Sequence, residues 1–164
     1  MTELADLRPA SPPMVRLEFA QKAFIVDDDR LLLVRKSMSD PHHPGRWEVP
    51  GGRIHVDGDI DLDDHIRREV WEEVSIKIDP GPPFHLWQWY MPDGDFGALQ
   101  QSRVVAVART CRPISVDATT MNQEPDDHLS EAAWVPRDRL AGYDLIPSLR
   151  PVMQHFLRLP ADLD

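Results

Sequence analysis

The chain has 164 residues, and 28 acidic against 18 basic side chains give it a formal net charge of −10. That length fits one domain able to bury roughly two-thirds of the surface of its unfolded chain. The negative balance disfavours long nucleic acid as a partner, no run approaches the ~20 apolar residues of a membrane span, and the single cysteine, Cys111, excludes an internal disulfide.

Residues 1–14 contain Pro9, Pro12 and Pro13 and read as an extended or disordered arm, with 15–164 as a single domain. The residues after Met1 lack the basic and apolar regions of a secretory signal, so a cytoplasmic setting is expected. Residues 15–26 alternate loosely and end at Asp27, Asp28 and Asp29; Leu31, Leu32, Leu33 and Val34 follow, which predicts a β-hairpin. Pro41, Pro44 and Gly45 mark a loop over 37–46. A short strand at 47–49 is expected to stop at Pro50, Gly51 and Gly52.

Residues 61–74 carry the clearest helical signal. Asp61 can cap the helix, Asp64 stands at its third position, and Ile66, Val70 and Val74 recur at i, i+4 and i+8. A short strand at 76–78 is expected to break at Gly81, Pro82 and Pro83. Strands at 84–91 and 103–111 flank a turn at Pro92, Asp93 and Gly94, and 113–129 is a polar loop. A strand at 132–135 and a terminal helix at 147–159, with Pro151 in its first turns, complete the chain. Helices interleaved with short strands predict a layered α/β domain with a mixed sheet.

Glu69, Glu72 and Glu73 stand at i, i+3 and i+4, so their carboxylates share one face of the predicted helix. Three like charges this close repel, and a hard divalent cation removes the penalty, because carboxylate oxygens suit magnesium and manganese. Arg67 and Arg68 can offset it without any metal. An acidic helix face is also what an ordinary solvated surface looks like, so the surrounding sequence has to decide.

The run Arg-Glu-Val-Trp-Glu-Glu-Val-Ser-Ile over 68–76 resembles the catalytic helix of the Nudix hydrolases. In that pattern a glycine, five residues, a glutamate and seven residues precede Arg-Glu-U-X-Glu-Glu-X-Gly-U, with U a bulky aliphatic. Arg68, Glu69, Val70, Glu72, Glu73 and Ile76 match it. Gly45-Arg46-Trp47-Glu48-Val49-Pro50-Gly51-Gly52 is similar to the strand and glycine turn before the family helix. The specific likeness covers 45–76 and a looser one covers 15–140. Three departures stand out. Two extra residues separate Gly52 from Arg68; the upstream glutamate has no counterpart, with Asp59 the nearest candidate; and Ser75 replaces a glycine.

The resemblance implies an α/β/α sandwich that hydrolyses a diphosphate linkage in a nucleoside diphosphate derivative or nucleoside triphosphate. Glu69, Glu72 and Glu73, with Asp59 and a carbonyl of Gly51 or Gly52, would hold Mg2+, or Mn2+ in its place. Arg68 would orient the carboxylates. Glu69 is the first choice of proton acceptor, ahead of Glu124, Asp126, Asp127 and Glu131. The departures leave open a second reading, a nucleotide-binding or regulatory domain that kept the fold and lost turnover.

Trp87 and Trp89 share one strand face and are candidates for stacking on a nucleobase. Core packing or a dimer interface explains them equally well. Arg46 and Arg53 are candidate phosphate contacts, with Arg16, Arg35 and Arg103 behind them. No histidine pair has the spacing of a zinc motif. Cys111 reads as a small buried residue, and the proline-rich arm and aromatic strand would suit a homodimer.

Overall fold

The computed structural model describes residues 16–55, 57–58, 61–91 and 102–161. The N-terminal arm at 1–14, the turn at Pro92, Asp93 and Gly94, and Asp59 lie outside the described residues. In chain order the elements are β1 (Arg16–Asp27), β2 (Arg30–Lys36), β3 (Trp47–Glu48), β4 (Gly51–Arg53), α1 (Leu62–Val74), β5 (Ile78–Tyr90), β6 (Ser102–Pro113) and β7 (Leu129–Pro136). Two 3-10 turns, Arg137–Gly142 and Pro147–Leu149, then lead into α2 (Arg150–Arg158).

The sheet is mixed. Its main path runs β3-β2-β1-β6-β5, with β4 paired to β1 and β7 to β2. β1 and β6 run parallel and every other pairing is antiparallel. The sheet lies between the two helices, which explains the continuous apolar runs of β1 and β2: both faces of a central strand are covered. Ala23, Ile25, Leu32 and Val34 face α1 and pack on Ile66, Val70 and Val74. Phe24, Leu31 and Leu33 face the other way and pack on Val152, Met153 and Phe156 of α2. The fold is thus the expected α/β/α sandwich. No helix among the described residues is long and apolar enough to cross a membrane.

The expected hairpin forms, with Val26 opposite Leu31 and Asp27 opposite Arg30. Residues 51–53 depart from expectation. They do not simply end a strand but form β4, which pairs Gly51 with Lys22 and Gly52 with Gln21. The chain also does not break at 81–83, because β5 runs through Pro80, Pro82 and Pro83 with register shifts against β6 on either side of Pro83. β5 is an edge strand, and edges and bulges are where a sheet accepts residues without an N–H. Ile76 is a buried core residue just before that strand, not part of a separate one. The terminal helix starts as a 3-10 turn and becomes α-helical only at Arg150.

α1 begins and ends as its sequence suggests. The Asp61 carboxylate accepts the backbone N–H groups of Asp63 and Asp64 at 2.7 and 3.1 Å. Ser75 closes the helix in the left-handed conformation, φ 57° and ψ 29°, with its N–H bonded to the carbonyl of Trp71. A residue with a Cβ pays about 1–2 kcal/mol there, partly balanced by the extra freedom glycine loses on folding. Exchange Ser75→Gly is therefore expected to raise stability by about 0.5–1 kcal/mol, read as a higher urea midpoint. A lower midpoint would contradict this account of the cap.

Candidate active site

The apolar stripe of α1 points into the core, and the rotation of the helix then turns Glu69 and Glu73 toward the glycine turn at 51–52. Two backbone facts shape this contact. Gly51 has φ 139°, and a Cβ there would stand 2.1 Å from the Gln21 carbonyl oxygen, so only glycine allows β4 to lie this close to β1. A Cβ on Gly52 would stand 1.9 Å from Glu69 Oε2, so the bare Cα gives that carboxylate its place. The Gly51 N–H donates to Glu73 Oε2 at 3.1 Å.

The helix acids differ in environment. Glu73 is buried, and burial pushes its carboxyl up to about 8, helped by the negative charges of Glu48 and Asp127 and opposed by Lys22 and the Gly51 N–H. Burial also raises Glu69; the Arg68 guanidinium opposes the shift and Glu72 adds to it. Glu72 is more open to solvent and is gripped by Arg68, whose Nη1 lies 3.1 and 2.9 Å from its two oxygens. Arg68 Nη2 also reaches Glu69 Oε1 at 3.0 Å, so one guanidinium spans both carboxylates.

Glu69, Glu73, Gly51 and Gly52 border a cavity of about 750 Å³. Its floor holds a buried ion cluster. Glu48 sits between two ammonium groups, with Lys22 Nζ 3.4 Å from Oε2 and Lys36 Nζ 3.4 Å from Oε1. Burial works against the Glu48 charge, yet the two lysines hold its carboxyl below the usual range. Lys36, which burial alone would lower, is raised by Glu48, Glu73 and Asp40. It also donates to the Asp127 carbonyl at 3.2 Å and thereby ties the loop at 120–128 to the cavity wall. Asp126 and Asp127 line the cavity from that loop. Burial holds the Asp127 carboxyl above its ordinary value, against the Glu124 N–H and Lys36.

The residues singled out from sequence separate into two groups. Gly51, Gly52, Glu69, Glu73, Arg53 and Trp89 line the cavity; Arg46, Arg68, Glu72 and Trp87 do not. Arg46 faces Asp144 instead, at 3.6 Å. Trp87 packs against the core, its ring centroid 5.8 Å from that of Trp89. Arg53 is within 2.7 Å of Glu18. Among the loop acids, Glu131 on β7 pairs with Arg35, while the Glu124 backbone donates its N–H to the Asp127 carboxylate and accepts the Asp127 N–H. Cys111 is buried, which pushes its thiol up to about 11 and leaves it unreactive. Lys22, Lys36 and Glu48 were not foreseen; a lone charge inside an apolar strand run was the available signal. His65 and Gln21, both fully buried beside Glu69, were also missed.

A mixed sheet between two helices, with an acid-lined cleft beside the first, defines the class as an α/β/α sandwich with its cleft at the first helix. The chain belongs to the Nudix hydrolase superfamily: the family model described as NUDIX domain matches residues 18–159. Its fold is similar to that of a MutT protein from Methanosarcina mazei Go1, with TM-score 0.69 and 23% identity, covering 87% of this chain and 94% of that one. A NUDIX hydrolase from Nitrosomonas europaea aligns with TM-score 0.65 and 17% identity, over 85% of this chain and 87% of that one. An ADP-ribose pyrophosphatase from Streptococcus suis 89-1591 aligns with TM-score 0.57 and 18% identity, over the same 85% and 87%. No curated protein matches the chain in sequence.

The raised carboxyl of Glu73 has a consequence for stability. Between the ordinary glutamate value of 4.5 and about 8, the folded protein holds a proton that the unfolded chain has released. That contribution is complete below 4.5 and is lost as pH rises through 8. The melting temperature in chelator should therefore fall between pH 6 and 8.5, by an amount on the order of 1 kcal/mol per pH unit in stability. In a Glu73→Gln variant the slope should largely vanish. Parallel melting curves for the two proteins would show that Glu73 is not held protonated.

Proposed function

We propose that this chain hydrolyses a diphosphate linkage in a small nucleoside diphosphate derivative or nucleoside triphosphate, with magnesium, or manganese in its place, as the metal. The observation that carries this reading is a pair of carboxyls, the half-buried Glu69 and the buried Glu73, set against the Gly51-Gly52 turn at a cavity large enough for a nucleotide. Two carboxyls driven upward by burial are groups whose ionised forms await a cation. The donors are hard oxygens: Glu69, Glu73, Glu72 once released from Arg68, and the Gly51 or Gly52 carbonyl. That set fits magnesium or manganese rather than zinc. The site is not preassembled, since among the described residues no three acidic, histidine or cysteine side chains stand together as a ready metal site. Glu72 would have to leave its contact with Arg68.

When bound, the metal supplies charge neutralisation on the phosphate oxygens and a more acidic water. The protein supplies the rest. Glu69 and Glu73 hold the cation side of the cavity, and Arg68 keeps Glu69 in register. Asp127 faces them from the opposite loop. We assign proton acceptance from the attacking water to Asp127 rather than Glu69, because Glu69 is already engaged by Arg68 and pressed on Gly52. Its raised carboxyl suits a base working nearer neutral pH. Trp89 offers a stacking surface in the cavity wall, and Arg53 a phosphate contact once it turns from Glu18. The net charge of −10 supports a small nucleotide over a long RNA.

Purified protein incubated with a panel of nucleoside triphosphates, dinucleotides and sugar nucleotides should release nucleoside monophosphate or pyrophosphate with magnesium and none with chelator. Exchange Glu73→Gln should lower the rate at least ~100-fold and weaken the metal dependence; Asp127→Asn should lower kcat ~10²–10⁴-fold with little change in KM. Folded protein that binds nucleotide and turns over no member of the panel would support a binding domain instead. A rate that survives Glu73→Gln would remove this carboxylate from the chemistry.

A further inference from the structure

Beneath the first turns of α1 lies a buried polar chain that the reaction as described does not use. It starts at Arg109 on β6, whose Nε donates to the Gly81 carbonyl at 2.9 Å, whose Nη2 meets the Asp63 carboxylate, and whose Nη1 donates to Gln21 Oε1 at 3.2 Å. Gln21 on β1 then donates its Nε2 to the Leu62 carbonyl at 2.7 Å and lies 2.8 Å from His65 Nδ1. His65 Nε2, on the far side of the ring, is 3.5 Å from Glu69 Oε1. Gln21 and His65 are both fully buried.

The donors and acceptors leave one assignment of protons. A guanidinium only donates, so the atom of Gln21 that faces Arg109 is its oxygen. A carbonyl only accepts, so the atom facing Leu62 is the amide nitrogen. The amide orientation is set twice over, and the Gln21 nitrogen presents an N–H to His65 Nδ1. That ring nitrogen must accept, because a proton on it would set two donors face to face at 2.8 Å. The ring is therefore neutral with its proton on Nε2, the atom directed at Glu69.

We propose that His65 is a positioning residue for Glu69: its Nε2–H, fixed in tautomer by Arg109 through Gln21, donates to Glu69 Oε1 and holds the carboxylate with Oε2 against the Gly52 backbone. At 3.5 Å the two atoms are not hydrogen-bonded in this structure, and the buried Nε2 stands where a small shift makes that bond, as catalytic contacts stand before a substrate complex tightens them. Arg68 grips the same oxygen at 3.0 Å from the solvent side, so Glu69 is bracketed by a cation outside and an imidazole inside. A ligand carboxylate oriented by an outer hydrogen bond needs no reorganisation when a cation arrives, and loss of such a partner costs ~10–100-fold in metal affinity. The inference rests on the reading of Glu69 as a metal-holding carboxylate.

The test has two arms on the full chain. First, a long-range ¹H–¹⁵N correlation spectrum of metal-free, histidine-labelled protein, with the His65 signal assigned by its disappearance in a His65→Gln variant, should show the neutral Nε2–H tautomer. An Nδ1–H tautomer or an imidazolium overturns the proposal. Second, manganese titration should give an affinity ~10–100-fold weaker in His65→Phe and mostly recovered in His65→Gln, whose amide nitrogen can take the place of Nε2. Phenylalanine and glutamine variants that lose affinity equally, or a phenylalanine variant that binds as wild type, overturn it. If neither variant folds, the glutamine and phenylalanine arms give way to the tautomer in wild type, assigned by selective labelling, which decides alone. Wild-type protein that binds no manganese removes the reading of Glu69 and the proposal with it; wild type that binds manganese with the wrong tautomer removes the proposal only.

Discussion

Everything at the cleft depends on how α1 is seated. Ile66, Val70 and Val74 are fully buried against Ala23, Ile25, Leu32 and Val34, and each such side chain contributes about 1.5–3 kcal/mol by leaving water. That packing fixes the rotation of the helix. Glu73 is then almost wholly buried at the cavity wall and ends beside the Gly51 N–H, while Glu69 ends over Gly52. The energy of the apolar face is what holds the carboxyls in a place they would otherwise avoid, and burial raises the Glu73 carboxyl as the opposing cost.

The electrostatics of the cavity follow from the same economy of space. The chain is strongly acidic, yet two lysines reach the cavity floor. Neither is free to act as an open phosphate clamp, because both are drawn to Glu48. Their effect is indirect. Lys22 opposes the upward shift of Glu73, and Lys36 anchors the loop that carries Asp127. Under the proposed function, the positive field for a phosphate chain comes chiefly from metal held at the glutamates, as expected where bound ions are the largest local charges.

The fold was legible wherever one element carried its own signal. The hairpin, the capped helix at 61–74, the mixed sheet and the family likeness over 45–76 all rest on local periodicity, caps or an ordered motif. Prolines misled at 80–83, because whether a strand is an edge is a property of the whole sheet and not of the strand. β4 was hidden for the same reason: a three-residue strand with two glycines exists only because β1 lies beside it. In the candidate site, the helix acids and glycines were readable from spacing. The partners of those acids were not. Glu48 is held by two lysines 26 and 12 positions away in sequence, and His65 by a glutamine and an arginine on two separate strands. Arg46 and Trp87 illustrate the converse, since residue type suggested a ligand contact and the fold directs them to Asp144 and to the core.

The central claim is that Glu73 is a buried carboxyl which ionises when a divalent cation arrives. The most direct measurement is calorimetric titration of magnesium into the protein at pH 7, repeated in buffers of different ionisation enthalpy, which counts protons exchanged on binding. The account predicts release of close to one proton per ion bound in the wild type, and almost none in Glu73→Gln. Magnesium binding with no proton release from the wild type, or no binding at all, would contradict it.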